Sequence, residues 1–442
     1  MSIAEETLAS ARTESAARIT TSKRIKAVMG GSIGNLVEWY DWYVYSAASL
    51  YFANVFFPPG DQTAQLLNAA AIFSVGFLMR PLGSWLMGIY ADRQGRRAAL
   101  VLSMAIMGLA SLVVAITPGY STIGIFAPAI LVLARIAQGV GVGGEYAAVA
   151  TYLVEIAGKE RRGFYGSFQY VTLIGGQLLA LLVIVGLQAT LSPEDLSAWG
   201  WRIPFVIGAI GAFLAYFWIN ATLEETESFE NMKKRDTPAD TWALMRQHPK
   251  ELMWVLGLTM GGALGFYVFS NYMQKFLVNT SGFSKDTASF IMAMAMLFFA
   301  AIQPLVGWLS DKVGRRPLLI FFGIGATLMT FPVMNALAST NDAWTAFFII
   351  CGALTVQSAY TSISGQYKAE LFPTEIRALA VGLPYAIGVA AIGGTAEVVA
   401  LSLKQEGHEE WFYWYTTFFM VIVVITALLM RDTKKYTRVL ED

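Results

Sequence analysis

The sequence predicts an all-α membrane protein, with twelve transmembrane helices in two pseudo-symmetric six-helix bundles. Three observations carry this expectation: an apolar composition, twelve segments long enough to cross a bilayer, and motifs that recur in the two halves. Of 442 residues, 56% are hydrophobic and only 14% are charged, against roughly 25% charged in soluble domains. So little charge cannot cover a soluble particle of this size. Disorder is excluded as well, because disordered chains are poor in apolar residues.

A bilayer-spanning helix needs about 20 mostly apolar residues. The segments that qualify in the first half are 27–56, 64–91, 98–117, 123–156, 163–190 and 203–221. Those in the second half are 251–279, 287–309, 317–338, 343–371, 377–403 and 408–430. A charged interruption from Glu224 to Lys250 separates the two sets. The expected organisation is therefore a cytoplasmic tail (1–26), a six-helix bundle (27–221), a cytoplasmic linker (222–250), a second bundle (251–430) and a cytoplasmic tail (431–442). The first 26 residues lack the apolar core of a cleaved signal peptide.

Basic residues orient the chain, since Lys and Arg concentrate on the cytoplasmic side. With the N-terminus inside, 25 of the 31 Lys and Arg fall in the tails and inner loops. Arg202, Lys275, Lys285 and Lys404 lie at or near the outer side, and Arg80 and Arg135 remain inside the hydrocarbon. Both termini are expected in the cytoplasm. Negative and positive residues balance at 31 each, which argues against nucleic acid as a partner. The lone Cys351 excludes an intrachain disulfide, and His248 and His408 lie too far apart in sequence for a histidine metal cluster or a Ser/His/Asp triad within the apolar body. No metal, cofactor or catalytic set is expected, and the protein is read as a non-enzyme.

The halves repeat each other. Asp92-Arg93-Gln94-Gly95-Arg96-Arg97 follows the second segment, and Asp311-Lys312-Val313-Gly314-Arg315-Arg316 follows the eighth. Glu155 with Arg162 and Glu370 with Arg377 form a second pair at nearly the same offset. A duplicated six-helix unit places a binding site near mid-membrane, between the halves.

The D-R/K-x-G-R-R loop resembles the signature of the major facilitator superfamily. Longer runs resemble its metabolite:proton symporter family: Gly34 to Asp41, Gly76 to Pro81, Gly143 to Tyr146, Ser167 to Leu182, Trp199 to Phe205, Tyr272 to Ser281 and Tyr360 to Arg377. The resemblance spans about Ile25 to Met430. Gln94 departs from the histidine found in some relatives, so no histidine role is carried over to this loop. The resemblance implies a proton-coupled symporter, importing α-ketoglutarate or a similar dicarboxylate across a bacterial inner membrane. Citrate, an aromatic acid or an osmolyte are alternative cargoes, and a sensor or channel is the alternative class. Partners would be the carboxylate, protons and lipid; a monomer is expected.

Charge inside a bilayer is costly and marks function or pairing. At about 1.5 Å per helical residue, Arg80 lies ~16 Å from the cytoplasmic end of its segment, Glu38 ~17 Å and Asp41 ~21 Å. Arg135 is ~18 Å from the outer end of its own. Glu38 and Asp41 share a helix face, and crowded carboxylates in a low dielectric suit proton coupling. Glu38, Asp41, Arg135 and Glu145 are the proton-coupling candidates; the resemblance implies an Asp41–Arg135 pair that opens and closes with protonation. A guanidinium grips a carboxylate through two donors, so Arg80 is the main substrate candidate. Arg135, Lys275, Tyr267, Asn271, Gln169, Gln177, Gln357 and Tyr360 complete the binding set. Lys275 is either a second carboxylate clamp or half of a rim ion pair with Glu397.

Gly139, Gly141, Gly143 and Gly144 mimic a dinucleotide fingerprint, but that motif needs a strand before it. Close helix packing explains them better. Gly257, Gly261 and Gly265 likewise suggest a packed or sliding face. Asp92, Arg96, Glu155, Arg162, Asp311, Arg315, Glu370 and Arg377 are the gating candidates: the resemblance implies ion-pair networks that close the cytoplasmic side.

Overall fold

The computed structural model describes residues 21–94, 96–143, 145–157, 160–222, 245–373 and 376–437. Most of the N-terminal tail, most of the central linker and the last residues lie outside these, as do the side chains of Asp92, Arg96 and Glu155.

Every described element is helical. Ten helices among the described residues are long and apolar enough to cross a membrane. Numbered by the expected position, these are helix 2 (Gln62–Met87), helix 3 (Ala98–Ile116), helix 5 (Arg162–Thr190), helix 6 (Arg202–Ala221), helix 7 (Pro249–Asn279), helix 8 (Lys285–Val313), helix 9 (Arg315–Ser339), helix 10 (Ala343–Glu370), helix 11 (Leu379–Gln405) and helix 12 (Glu409–Leu429). Two helical stretches occupy the remaining positions. Helix 1 runs unbroken from Thr21 to Phe56; Asn35, Glu38 and Asp41 dilute its apolar character. Helix 4 runs from Phe126 to Val142 and resumes as Glu145–Ile156.

Local chemistry sets several boundaries. Ser284 and Asp342 cap helices 8 and 10 by accepting from the amides of Thr287 (3.1 Å) and Thr345 (2.7 Å), which satisfies donors that a helix start leaves free. Gly314 takes φ 98° between helices 8 and 9, a conformation open to glycine at little steric cost. That turn is the reason for glycine in the D-K-V-G-R-R loop. Helices 7 and 11 each contain a π-turn, at Tyr267–Tyr272 and Val389–Gly393, and such turns often mark functional positions.

The chain folds as two helical bundles. Helices 3 and 6, 1 and 5, and 2 and 4 pack within the first; helices 9 and 12, 8 and 10, and 7 and 12 pack within the second. Helix 5 meets helix 8 and helix 2 meets helix 11 across the seam. Leu109, Ile116, Leu214, Phe217, Leu328, Phe348, Phe418 and Leu429 point outward and are more than half exposed, as an apolar perimeter in lipid requires. The glycines of helix 4 allow close crossing: a Cβ at Gly143 would stand 2.5 Å from the carbonyl oxygen of Arg80, and one at Gly139 would stand 2.9 Å from Met79 Cβ. Gly257 and Gly265 do the same for helix 7 against Thr426 (2.7 Å) and Gln357 (2.6 Å).

Candidate functional site

Helix 1 supplies the centre of the seam. Its polar face carries Glu38 and Asp41, both almost fully buried, and Trp42 follows Asp41 in the chain. Arg80 from helix 2 sits over the Trp42 ring at 4.4 Å, and Arg135 from helix 4 sits at 4.8 Å from it. Two guanidinium groups thus share one indole. Arg80 also faces Phe77 (4.6 Å) and Trp39 (5.3 Å), and Arg135 faces Tyr45 (4.0 Å) and Phe73 (5.4 Å). Cation–π attraction in a desolvated site is worth about 2 kcal/mol or more per contact, so the rings hold both cations in place without using their N–H donors.

Around this centre the ionisable groups form two clusters. In the first, Asp41 accepts from Ser111 Oγ and from Gln138 Nε2 (2.6 Å), and Arg135 donates to Gln138 Oε1 (2.5 Å). The expected Asp41–Arg135 pair is therefore a relay: the amide of Gln138 stands between carboxylate and guanidinium. The reason is steric, since Arg135 is turned toward the rings of Trp42 and Tyr45, and a helical i,i+3 neighbour fills the gap. Gln138 and Ser111 were not among the sequence candidates; the 135/138 spacing was the available signal.

In the second cluster, Arg80 approaches Glu38 at 3.8 Å, and the Glu38 and Glu145 carboxyls adjoin each other. Glu145 also crowds helix 1, where a Cβ at Gly34 would stand 2.8 Å from its Oε1. Two adjoining carboxyls cannot both ionise cheaply. Arg80 Nε and one terminal nitrogen, and Glu145 Oε2, complete no hydrogen bond although they are buried. This leaves donors facing a carboxylate pair in the interior.

The other candidates divide by position. Lys275 joins Glu397 at 2.5 Å and donates to Ser46 Oγ (2.9 Å). Asn271 donates to the same Glu397 (3.2 Å), and Ser46 does so from helix 1 (3.2 Å). With Tyr43 donating to Ser270 O (2.6 Å) and Ser74 to Gly394 O (2.7 Å), these contacts bridge the halves at one end of the seam. Tyr267, in the π-turn of helix 7, packs against Phe77 (5.1 Å) with its hydroxyl unpartnered. Gln177 is buried with a free carbonyl oxygen. Gln169 donates to Tyr146 O (3.1 Å) and Gln357 to Gly262 O (3.0 Å), so both hold backbone. Tyr360 is buried over Phe322 (5.3 Å), and its hydroxyl is unpartnered.

At the other end Asp311 accepts from the amides of Gly163 (2.7 Å) and Phe164 (2.9 Å), across the seam, and pairs with Arg315 (3.2 Å). Arg315 also binds Glu370 (3.0 Å), which accepts from Thr433 (2.5 Å). Arg377 donates Nε to Phe372 O (3.3 Å), and Arg162 is buried. The gating expectation for Asp92, Arg96 and Glu155 falls on side chains outside those described. Above this layer Tyr146 of helix 4 stacks on Tyr385 of helix 11, with centroids 3.5 Å apart and planes within 6°. Lys368, near the end of helix 10, lies beside them fully buried. Both sides of the seam are thus bridged in this conformation.

Two helical bundles enclosing buried charged clusters are the architecture of a secondary transporter of the alternating-access type. Residues 32–396 and 263–441 match the model of the Major Facilitator Superfamily, and the chain belongs to that superfamily. It is 51% identical over 395 residues to the α-ketoglutarate permease of Escherichia coli K12, covering 89% of this chain and 90% of that protein. It is 31% identical to the citrate-proton symporter of Salmonella typhi, covering 85% and 87% of the two chains. The proline/betaine transporter of Salmonella typhimurium is 32% identical, over 86% of this chain and 78% of its own. Among solved structures, the E. coli xylose transporter XylE in a partially occluded inward open conformation superposes with TM-score 0.73 at 20% identity, covering 93% of this chain and 97% of that one.

Proposed function

We propose that this protein is a proton-coupled symporter that imports α-ketoglutarate or a similar dicarboxylate by alternating access. The observation that carries the reading is Arg80: a buried guanidinium, held by three aromatic rings, with unused donors beside an adjoining Glu38–Glu145 pair. The strong likeness to an α-ketoglutarate permease and the likeness to a citrate-proton symporter support it.

In this mechanism a proton neutralises one carboxyl of the Glu38–Glu145 pair, and Arg80 is released from Glu38 to grip the substrate carboxylate. Asp41, Gln138 and Arg135 form a second proton-sensitive relay. Protonation of Asp41 weakens its hold on Gln138, and through it on Arg135. The halves then rock. The Lys275–Glu397 contacts part on one face, and the Asp311, Arg315 and Glu370 contacts part on the other. These pairs are buried, so each parts only as the separating halves let water or another partner replace the lost contact. The concentration gradients supply the free energy, so no nucleotide is consumed.

The same reading places the protein in the bacterial cytoplasmic membrane as a monomer, with both termini in the cytoplasm. The bundles would be 27–221 and 251–430, joined by a cytoplasmic linker. Uptake of labelled α-ketoglutarate into proteoliposomes, with and without an imposed pH gradient, tests the proposal. Uptake stimulated by the gradient and blocked by unlabelled dicarboxylates is expected. Uptake blocked instead by citrate or betaine alone, or indifferent to dicarboxylates, overturns the substrate assignment.

A further inference from the structure

Lys368 has no task in the mechanism above. Its side chain is completely buried near the inner end of helix 10. Burying an ammonium is costly without a counter-charge. The neighbouring buried cations are answered: Arg80 by Glu38, Lys275 by Glu397, Arg315 by Asp311 and Glu370, and Arg135 by Asp41 through Gln138. Among the described residues no carboxylate lies within ion-pair distance of Lys368. It donates instead to Tyr146 Oη (3.1 Å) and Ser364 Oγ (2.9 Å). Four tyrosine rings surround its ammonium: Tyr385 at 4.4 Å, Tyr146 at 5.0 Å, Tyr367 at 5.5 Å and Tyr360 at 5.7 Å.

This cage straddles the seam. Tyr146 comes from the first bundle and the other three rings from the second. Tyr385 stacks on Tyr146 and also lies in the field of Arg80 and Glu38. One stacked tyrosine pair therefore separates a guanidinium of the first half from an ammonium of the second. An ammonium has three protons to donate, and Lys368 uses two. The Tyr360 and Tyr367 hydroxyls close by are buried and adjoin only each other and the hydroxyls of Thr259 and Ser364, all neutral groups. Neutral hydroxyl donors thus surround an uncompensated cation, and the natural occupant of such a place is an anionic oxygen group.

We propose that Lys368 binds the second carboxylate of the transported dicarboxylate, opposite Arg80, and that Tyr146 occupies its place in the closed seam. The proposal rests on the transport reading above and adds the residue that would select two carboxylates over one. When the halves part, Tyr146 leaves with helix 4 and Lys368 loses a hydrogen-bond partner. The incoming carboxylate replaces that partner and supplies the missing counter-charge. Lys275 is a poorer choice for this role, because a substrate would first have to displace Glu397 at 2.5 Å.

The test compares α-ketoglutarate with 2-oxopentanoate, a 2-oxo acid of the same chain length that lacks the second carboxylate. Competition for uptake is measured with the purified full chain in proteoliposomes, for the parent, Lys368→Gln and Lys368→Arg. The parent should prefer the dicarboxylate. Lys368→Gln should weaken α-ketoglutarate by about tenfold or more, the loss of one charge-assisted contact, and leave 2-oxopentanoate unchanged. Lys368→Arg should keep most of the preference. Equal weakening of both acids by Lys368→Gln, which a purely structural lysine would give, overturns the proposal, and so does no weakening of either. A measurement on the parent needs no variant: acylation of Lys368 followed by mass spectrometry should be blocked by α-ketoglutarate and not by 2-oxopentanoate. Equal labelling with either acid overturns the proposal even if the Gln variant fails to fold. A parent that shows no dicarboxylate preference removes the transport reading itself; a parent preference that survives Lys368→Gln removes only the role of Lys368.

Discussion

Replacing Arg80 with lysine keeps the positive charge and removes the planar fork. In the structure the guanidinium is fixed by Trp42, Phe77 and Trp39 at 4.4, 4.6 and 5.3 Å, while Glu38 stands off at 3.8 Å. The aromatic faces thus orient the group, and the carboxylates do not saturate it. A compact ammonium has no planar face to lay on the rings and cannot present two parallel donors. The loss is that of about one hydrogen bond to a charged acceptor, roughly 1.5–3 kcal/mol. At 1.4 kcal/mol per decade this weakens half-saturation by α-ketoglutarate about 10- to 150-fold. The assay is the concentration dependence of labelled α-ketoglutarate exchange in proteoliposomes, where no proton gradient is needed and coupling defects do not intrude. Affinity in Arg80→Lys within twofold of the parent would refute the carboxylate grip and return Arg80 to a fixed partner of Glu38.

Further outcomes follow from the other clusters. Asp41→Asn should abolish accumulation against a gradient and spare exchange, because the relay through Ser111 and Gln138 loses its titrating group; undiminished accumulation refutes this. Glu397→Gln strands Lys275, which is 1% exposed. Removing one partner of a buried pair costs about 3–5 kcal/mol, so detergent-solubilised protein should melt measurably earlier. The double replacement Lys275→Met with Glu397→Leu should recover most of that loss, and a double variant no better than the single one would contradict the reasoning. Gly143→Ala places a methyl 2.5 Å from the Arg80 carbonyl oxygen. Overpacking of this kind costs about 1–3 kcal/mol, and by displacing helix 2 it should also raise the half-saturating substrate concentration.

Much of the architecture was readable in the chain because bilayers constrain it so tightly. Apolar length, basic loops and the duplicated D-x-x-G-R-R motif mark where helices lie and how the halves relate. Depth counting along single helices also placed Glu38, Asp41, Arg80 and Arg135 at one level, and the structure sets both guanidinium groups over Trp42, on the helix that carries the two carboxylates. Rotation and partner choice were not readable. Counting along one helix says nothing about which way Arg135 turns, so Gln138 as the intermediary and Ser111 from helix 3 went unnoticed. Lys368 counts by sequence only as one of the basic residues at the inner end of helices 10 and 11. Its burial depends on Tyr146 and Tyr385, which approach from two other helices. Lys275 was weighed as a clamp or a rim pair, and the contact with Glu397 favours the rim pair. Such outcomes depend on contacts between residues on different helices, from 70 positions apart for Asp41 with Ser111 to 222 for Lys368 with Tyr146, and no periodicity in one segment encodes them.

Coupling is the central claim, and proton movement driven by substrate tests it most directly. Proteoliposomes containing the protein and a trapped pH indicator are given α-ketoglutarate with no pH gradient imposed. The lumen should acidify as substrate enters, at a rate that follows substrate uptake, and Asp41→Asn should abolish the acidification. Entry of labelled α-ketoglutarate with no change in luminal pH would contradict it.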